Sequence, residues 1–390
     1  MVSARGDVSP GSTAALRTAN QRRVIDALRA TGETRSGSLV FTQAELARAT
    51  GLARATVSNI VRDLVDVGLL ETEAGSGRRG SAVRLAPGAG VVAGIDFGHS
   101  HLAVAIGDLT GHVLVEEQQA IHPDISHDDA LALAVEMVRS LKAPQVSLRQ
   151  IGLGLPAPMT DAVIQTASIF PGWRGIDARQ TAIDAFGVPV QVENDANLGA
   201  LAEHRMGYGR GLDSSVFVKI SSGVGAGIII DNDLFRGTSG SAGELGHVTF
   251  DEQGPMCRCG SRGCLETYTS AGAVQAMVSG HLPGATLDEI IAAAGDGDVS
   301  ARRALEDAGL HLGRGLAAVV NLLNPSVIVI GGDMARAGDL LLESVRLGLR
   351  RHALDPVAGT RVEASALGGR ASLLGALLLA AESTELLVDA

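Results

Sequence analysis

A buried strand that breaks into a polar turn and returns as a second strand occurs twice in this chain, and few folds use that plan twice. Val91 to Asp96 runs into Gly98 and is followed by Leu102 to Ile106; Ser215 to Ile220 runs into the glycine-rich SSGVGAG and is followed by Gly227 to Ile230. The echo predicts two related halves, each presenting a turn to a shared cleft. Further apolar runs at Ile151 to Leu155, Val188 to Val192 and Val327 to Ile330 read as buried strands with helical patterns between them, the signature of an α/β body. A chain of 390 residues is too long for one core and calls for two or three domains. Aromatic residues are only 3% of the chain, so its cores must be built from Ala, Val and Leu.

Charge divides the chain differently. The net charge of −11 argues against nucleic acid, yet residues 1–90 hold 12 Arg against 8 Asp or Glu, while the remainder is strongly acidic. A basic head on an acidic body predicts that only the head meets a polyanion. After a polar tail over 1–18, expected to be disordered, the spacing of Val24 and Leu28 predicts a first helix from Asn20 to Ala30. Thr42-Gln43-Ala44-Glu45 has the form of a capping box, so a second helix starts at Gln43 and stops at Gly51. A third runs from Arg54 to about Val67, with Val57, Val61 and Leu64 on one face and Arg54, Ser58, Asn59 and Arg62 on the other. Donor-rich side chains on an exposed helix face suit base edges in a major groove. Ala53 stands where a Ser or Thr cap would be expected, so this helix begins less firmly. Two short apolar runs, Leu69 to Thr72 and Ala82 to Leu85, flank EAGSGRRGS and predict a hairpin wing with Arg78 and Arg79 at its tip. Residues 19–86 thus read as a winged helix-turn-helix, with a three-helix packing module as the plainer alternative. Pro87-Gly88-Ala89-Gly90 marks the boundary before a body over 91–390.

The three cysteines of the chain, Cys257, Cys259 and Cys264, fall within eight residues. An odd, clustered set of thiols is better suited to a metal than to disulfides, and His247, ten residues upstream of Cys257, is the nearest imidazole on that side. A Cys3His set closes a tetrahedron, so the expected ion is a structural zinc with no open position for catalysis. The alternative is a loop of small buried hydrophobes. No apolar run of about 18 residues occurs and no leader segment is apparent, so a cytoplasmic protein without membrane contact is expected.

DFGHSH at 96–101, PGW at 171–173, ENDAN at 193–197, GELGH at 243–247 and CRCGSRGCLE at 257–266 together resemble the ROK family of repressors, open reading frames and kinases. The resemblance runs from about residue 20 to 385. It implies a two-lobed, actin-like body of the sugar kinase and ribonuclease H-like class, with its cleft near residue 195. Family members with a helix-turn-helix head are sugar-responsive transcription factors, and headless members are sugar kinases. The resemblance further implies that Asp195 is the general base if the kinase reaction operates, that Asn194 contacts a hydroxyl beside it, and that Glu244, His247 and Glu266 supply the remaining sugar contacts, with His247 serving zinc and sugar alike. Carboxylates around a polyol each accept a hydroxyl hydrogen and discriminate epimers, because a mismatched hydroxyl leaves a buried partner unsatisfied. Asp195 also suits a helix N-cap, and Trp173 either covers a pyranose face or packs in the core.

Two departures bear on catalysis. Kinases of the family resemble Asp-x-Gly-Gly-Thr in the first loop, where this chain has Asp96-Phe97-Gly98-His99-Ser100; in the second loop Gly-Thr-Gly becomes Ser221-Ser222-Gly223. Each loss puts a side chain where backbone amides should face phosphate. Both argue against efficient use of ATP with magnesium, whereas Gly331 and Gly332, on the adenosine side, survive. The expected protein is a sugar-responsive transcriptional regulator. In this reading it is a repressor acting as a homodimer or tetramer on double-stranded operator DNA and released by a sugar or sugar derivative. The alternatives are an ATP-dependent sugar kinase that also binds DNA and a regulator controlled by a protein partner.

Overall fold

The computed structural model describes residues 13–30, 41–73, 81–143, 145–164 and 171–386. Its first helix, α1 (Thr13–Ala30), takes in the last six residues of the expected tail, so residues 13–18 are helical rather than disordered. Arg17 accounts for part of this, because its guanidinium lies 2.8 Å from Asp63 and ties the first turns of α1 to the third helix. A short strand β1 (Phe41–Thr42) leads into α2 (Gln43–Thr50), whose start is the reciprocal cap: the Thr42 hydroxyl accepts from the Glu45 amide, and the Glu45 carboxylate accepts from the Thr42 amide at 2.8 Å. Gly51 ends it in the left-handed conformation at φ 68°. The third helix, α3 (Arg54–Asp66), starts without a side-chain cap at Ala53 and buries Val57, Ile60, Val61 and Leu64. Strands β2 (Leu70–Glu73) and β3 (Ala82–Leu85) pair antiparallel, and β1 joins the far edge of β3.

The body contains two five-stranded sheets of matching order. In the first, β4 (Val91–Phe97), β5 (His101–Gly107) and β6 (Val113–Ala120) form an antiparallel meander. After α4 (His127–Leu141), β7 (Leu148–Leu155) returns parallel to β4. A small hairpin of β8 (Met159–Thr160) and β9 (Val163–Ile164) and the helix α5 (Ala178–Phe186) precede β10 (Val190–Asn194), parallel to β7. The helix α6 (Asp195–Met206) follows directly. The second sheet repeats the plan with β11 (Ser215–Ile220), β12 (Val224–Ile230) and β13 (Asp233–Leu234) as the meander. Helices α7 (Glu266–Thr269), α8 (Ala271–Val278), α9 (Leu287–Gly295) and α10 (Val299–Leu323) then lead to β14 (Val327–Gly331), parallel to β11. Past α11 (Asp339–His352), β15 (Arg361–Ala364) pairs parallel with β14, and α12 (Ala371–Ser383) ends the regular structure. The orders β10-β7-β4-β5-β6 and β15-β14-β11-β12-β13 are equivalent strand for strand, so the sequence echo is a structural repeat.

Helices α6 and α12 pack against each other between the two sheets. Contact is backbone to backbone: a Cβ at Gly375 would collide with the Leu198 carbonyl of α6, and one at Gly152 with the Ala376 carbonyl of α12. The head is not held by its linker alone. Pro87–Ala89 forms a single 3-10 turn with Ala89 buried, and Val24, Ile25 and Leu28 of α1 share one apolar cluster with Leu377, Ala381 and Leu386. Arg29 donates to the Thr384 carbonyl at 3.1 Å, and Arg22 pairs with Glu385 at 2.8 Å. Among the described residues no helix is long and apolar enough to cross a membrane.

The close approach predicts an asymmetry between glycines. Gly375→Ala should lower stability by about 3 kcal/mol through overpacking against a backbone that cannot yield. Gly272→Ala, exposed in the first turn of α8 with open space around it, should be neutral or slightly stabilising. Urea unfolding midpoints of the two variants check this, and equal midpoints would contradict the packing.

Candidate functional site

The cleft lies where corresponding turns of the two sheets face each other. Gly98 to His101 from the β4–β5 turn, Asn194 and Asp195 at the junction of β10 and α6, Lys219 of β11 with Ser221 to Gly225 from the turn after it, then Glu244, His247, Glu266 and Asp333 line one pocket. Asn194 is the N-cap of α6: its side-chain oxygen accepts from the Ala196 amide at 2.9 Å and the Asn197 amide at 3.2 Å, and its amide nitrogen donates to the Ala157 carbonyl at 3.3 Å. Asp195 is therefore the first helical residue and not the cap, which leaves its carboxylate directed at the cleft.

That carboxylate has a partner the sequence reading did not find. Lys219 of β11 donates to Asp195 Oδ2 at 2.8 Å and to Ser372 Oγ of α12 at 3.1 Å, and Ser372 donates to the Asp195 carbonyl at 2.9 Å. Burial alone would pull the lysine down, but the charges of Asp195 and Asp96 outweigh it and raise its pKa, so the ammonium stays protonated. Burial, reinforced by the charge of Asp96, raises Asp195 despite the lysine. Asp96 is also buried, but the charges of Lys219 and His101 overcome that and hold it below the usual range. Glu244 is pushed up to about 7 by burial first and by the charges of Asp195 and Glu266 next. Its carboxylate has no hydrogen-bond partner among the described residues, and His247 Nε2 stands 4.0 Å away.

On the other side of His247 the cysteines converge. Nδ1 lies 3.7 Å from Cys257 Sγ, Cys259 Sγ lies 3.7 Å from Cys264 Sγ, and all four donor atoms fall within 4.8 Å of one another. Tetrahedral thiolates about 2.3 Å from a zinc ion stand about 3.8 Å apart, so the two 3.7 Å pairs match such an ion and the widest separation would have to close by about 1 Å on binding. Glu266, two residues past Cys264, is committed to the protein: Arg258 Nε lies 2.7 Å from Oε1, and the Val224 amide donates to Oε2 at 3.0 Å. Arg258, between Cys257 and Cys259, thus joins the cysteine loop to the cleft.

Residues 92–383 match the ROK family, and residues 17–80 match the MarR family. The chain belongs to the ROK family. It is 31% identical over 348 residues to a xylose repressor from Bacillus spizizenii, covering 86% of this chain and 89% of that protein. A solved ROK family transcriptional regulator, described as a homologue of the E. coli MLC protein, superposes with a TM-score of 0.76 at 28% identity, over 92% of this chain and 96% of that one. A ROK family glucokinase from Streptomyces griseus, solved with glucose and AMPPNP, superposes with a TM-score of 0.67 at 30% identity, over 75% of this chain and all of that one.

Within this ROK chain, Asn194, Asp195, Glu244, His247 and Glu266 all line the one cleft, and His247 faces both the cleft and the cysteines. Trp173 does not reach it: fully buried, it packs at 5.5 Å against Phe97, so it is core and not a sugar platform. Arg54, Ser58, Asn59 and Arg62 are exposed along α3, with Arg62 donating to Asn59 at 3.1 Å. Arg78 and Arg79 lie outside the described residues. Gly331 and Gly332 have a packing role that does not involve a nucleotide, since a Cβ at Gly331 would enter the Phe217 ring and one at Gly332 would meet the Ile220 backbone. Ser221 is likewise engaged, its hydroxyl accepting from the Asp333 amide at 3.0 Å. Lys219 had a signal that could have found it: it is one of only two lysines in the chain, in the middle of an otherwise apolar strand.

Proposed function

We propose that this protein is a sugar-responsive, DNA-binding repressor, released from its operator when a sugar or sugar derivative occupies the cleft. The observation that carries this reading is α12. Its first turn supplies Ser372 to the Lys219–Asp195 pair, and the residues just beyond its last turn, Thr384 and Glu385, hold Arg29 and Arg22 of the head. A ligand that draws the lobes together therefore acts on a helix on which the recognition helix also depends. In a homodimer or tetramer such a shift changes the spacing of two heads against half-sites about 34–36 Å apart. Asp195, Glu244 and His247 are the hydroxyl partners in this account, with Asn194 and Glu266 shaping the site from within the protein. His247, Cys257, Cys259 and Cys264 hold a structural zinc that fixes the His247 ring, so that its second nitrogen faces the ligand. Arg54, Ser58, Asn59 and Arg62 read the major groove, with Arg78 and Arg79 on phosphate or minor groove, in cytoplasmic operator DNA. The relatives named as repressors support this reading, and they match the head as well as the body. A sugar kinase that also binds DNA is the weaker reading, because the would-be base is already paired with Lys219 and the second loop is closed on Asp333.

Two outcomes are expected. Purified protein should contain one zinc per chain, and Cys259→Ser should lose both the metal and ligand binding; metal-free protein with unchanged ligand binding, read by elemental analysis and calorimetry, would contradict the zinc site. Full-length protein should bind its operator and leave it on addition of a sugar from a monosaccharide panel with no ATP present. Arg54→Ala and Arg62→Ala should each weaken operator binding by about 1–3 kcal/mol while sugar binding is retained. Release that requires ATP, followed by fluorescence anisotropy, would favour the kinase reading.

A further inference from the structure

Lys219 enters a setting built for a cation. Its Cα is flanked in the sheet by Gly225 and Gly331, so neither neighbour sends a side chain across the path of its stem. Its ammonium reaches Asp195 at 2.8 Å and lies in the field of Asp96 and Asp333 as well. Asp96 is 1% exposed, and among the described residues its Oδ1 has no hydrogen-bond partner, while Oδ2 has only the His101 ring at 3.4 Å. A buried carboxylate left in that condition depends on a nearby positive charge. The other basic groups facing this carboxylate set are the imidazoles of His99 and His101 and the Arg336 guanidinium, 3.7 Å from Asp333, while His247 faces Glu244 and Arg258 is bound to Glu266.

Phosphoryl transfer from a nucleoside triphosphate needs a divalent ion to bridge phosphate oxygens and a carboxylate free to take the hydroxyl proton. One ammonium obstructs both. It donates to the oxygen that would accept the proton, and it supplies a single charge, without open coordination positions, among the acids that would otherwise attract a dication. We propose that Lys219 is a built-in monocation that replaces a divalent ion among Asp96, Asp195 and Asp333 and so restricts the cleft to uncharged sugars bound without nucleotide. This rests on the sensor reading above and names the residue that sets its specificity. The excess of carboxylates over cations in the same cleft acts in the same direction, disfavouring a phosphorylated ligand.

The test uses full-length, zinc-loaded protein and Mn2+ as the probe. Wild-type protein should show no tightly held Mn2+ by electron paramagnetic resonance, and its unfolding temperature should not respond to the ion. Lys219→Ala should unfold at lower temperature in metal-free buffer, recover with millimolar Mn2+, and bind Mn2+ at least roughly tenfold more tightly than the parent. Lys219→Arg, which keeps the charge, should behave as wild type. If the lysine only fills space, Lys219→Ala is destabilised with no recovery by the ion, which overturns the proposal. One Mn2+ bound in the wild-type cleft and lost in Asp195→Asn overturns it too, and this arm stands even if Lys219→Ala does not fold. Failure of sugar to release the operator alongside Mn2+ rescue of Lys219→Ala would instead sink the sensor reading and leave the role of Lys219 intact.

Discussion

The contact of α6 with α12 is the constraint on which the rest of the molecule depends. These helices lie between the two sheets, and their approach is close enough that Gly375 meets the Leu198 carbonyl with no room for a side chain. Asp195 begins one helix and Ser372 lies in the first turn of the other, so the packing that joins the lobes also sets the geometry of the cleft. Close-packed backbones shift as units and do not bend smoothly, which suits a site whose occupation must be felt at a distance.

Electrostatics adds a second layer. The cleft gathers more carboxylates than cations, and a lone buried carboxylate there would be costly. Lys219 offsets part of this from the second sheet, and Arg258 offsets Glu266 from the cysteine loop. Lys219 therefore arrives from the opposite sheet to the acid it serves. The charged site and the lobed architecture consequently stabilise one another, and the acids remain available to a neutral polyol.

Much of this was legible in the sequence because it is local. The Thr42–Glu45 cap, the Gly51 stop and the missing cap at Ala53 are decided within a turn of chain, and the doubled strand–turn–strand plan is a periodicity. The cysteine cluster was legible by rarity. What was not legible depends on partners distant in sequence. The start of α1 at Thr13 is fixed in part by Arg17 on Asp63, and the role of Trp173 is fixed by Phe97. The pairing of Lys219 with Asp195 spans two elements, and that of Arg22 with Glu385 joins opposite ends of the chain. Asn194 takes the cap that Asp195 also suited, because its side-chain oxygen reaches the Ala196 and Asn197 amides where β10 runs directly into α6, which no spacing rule anticipates.

Coupling between cleft and head is the central claim, and coupling is reciprocal: a sugar that weakens operator binding must itself bind more weakly to the operator complex, by the same factor. The direct measurement is the calorimetric affinity of the inducing sugar for full-length protein, free and saturated with operator duplex, in buffer without nucleotide. The account predicts weaker sugar binding to the DNA complex, by on the order of 5-fold to 150-fold. Equal affinities for free and DNA-bound protein would show the two sites to be independent and would contradict it.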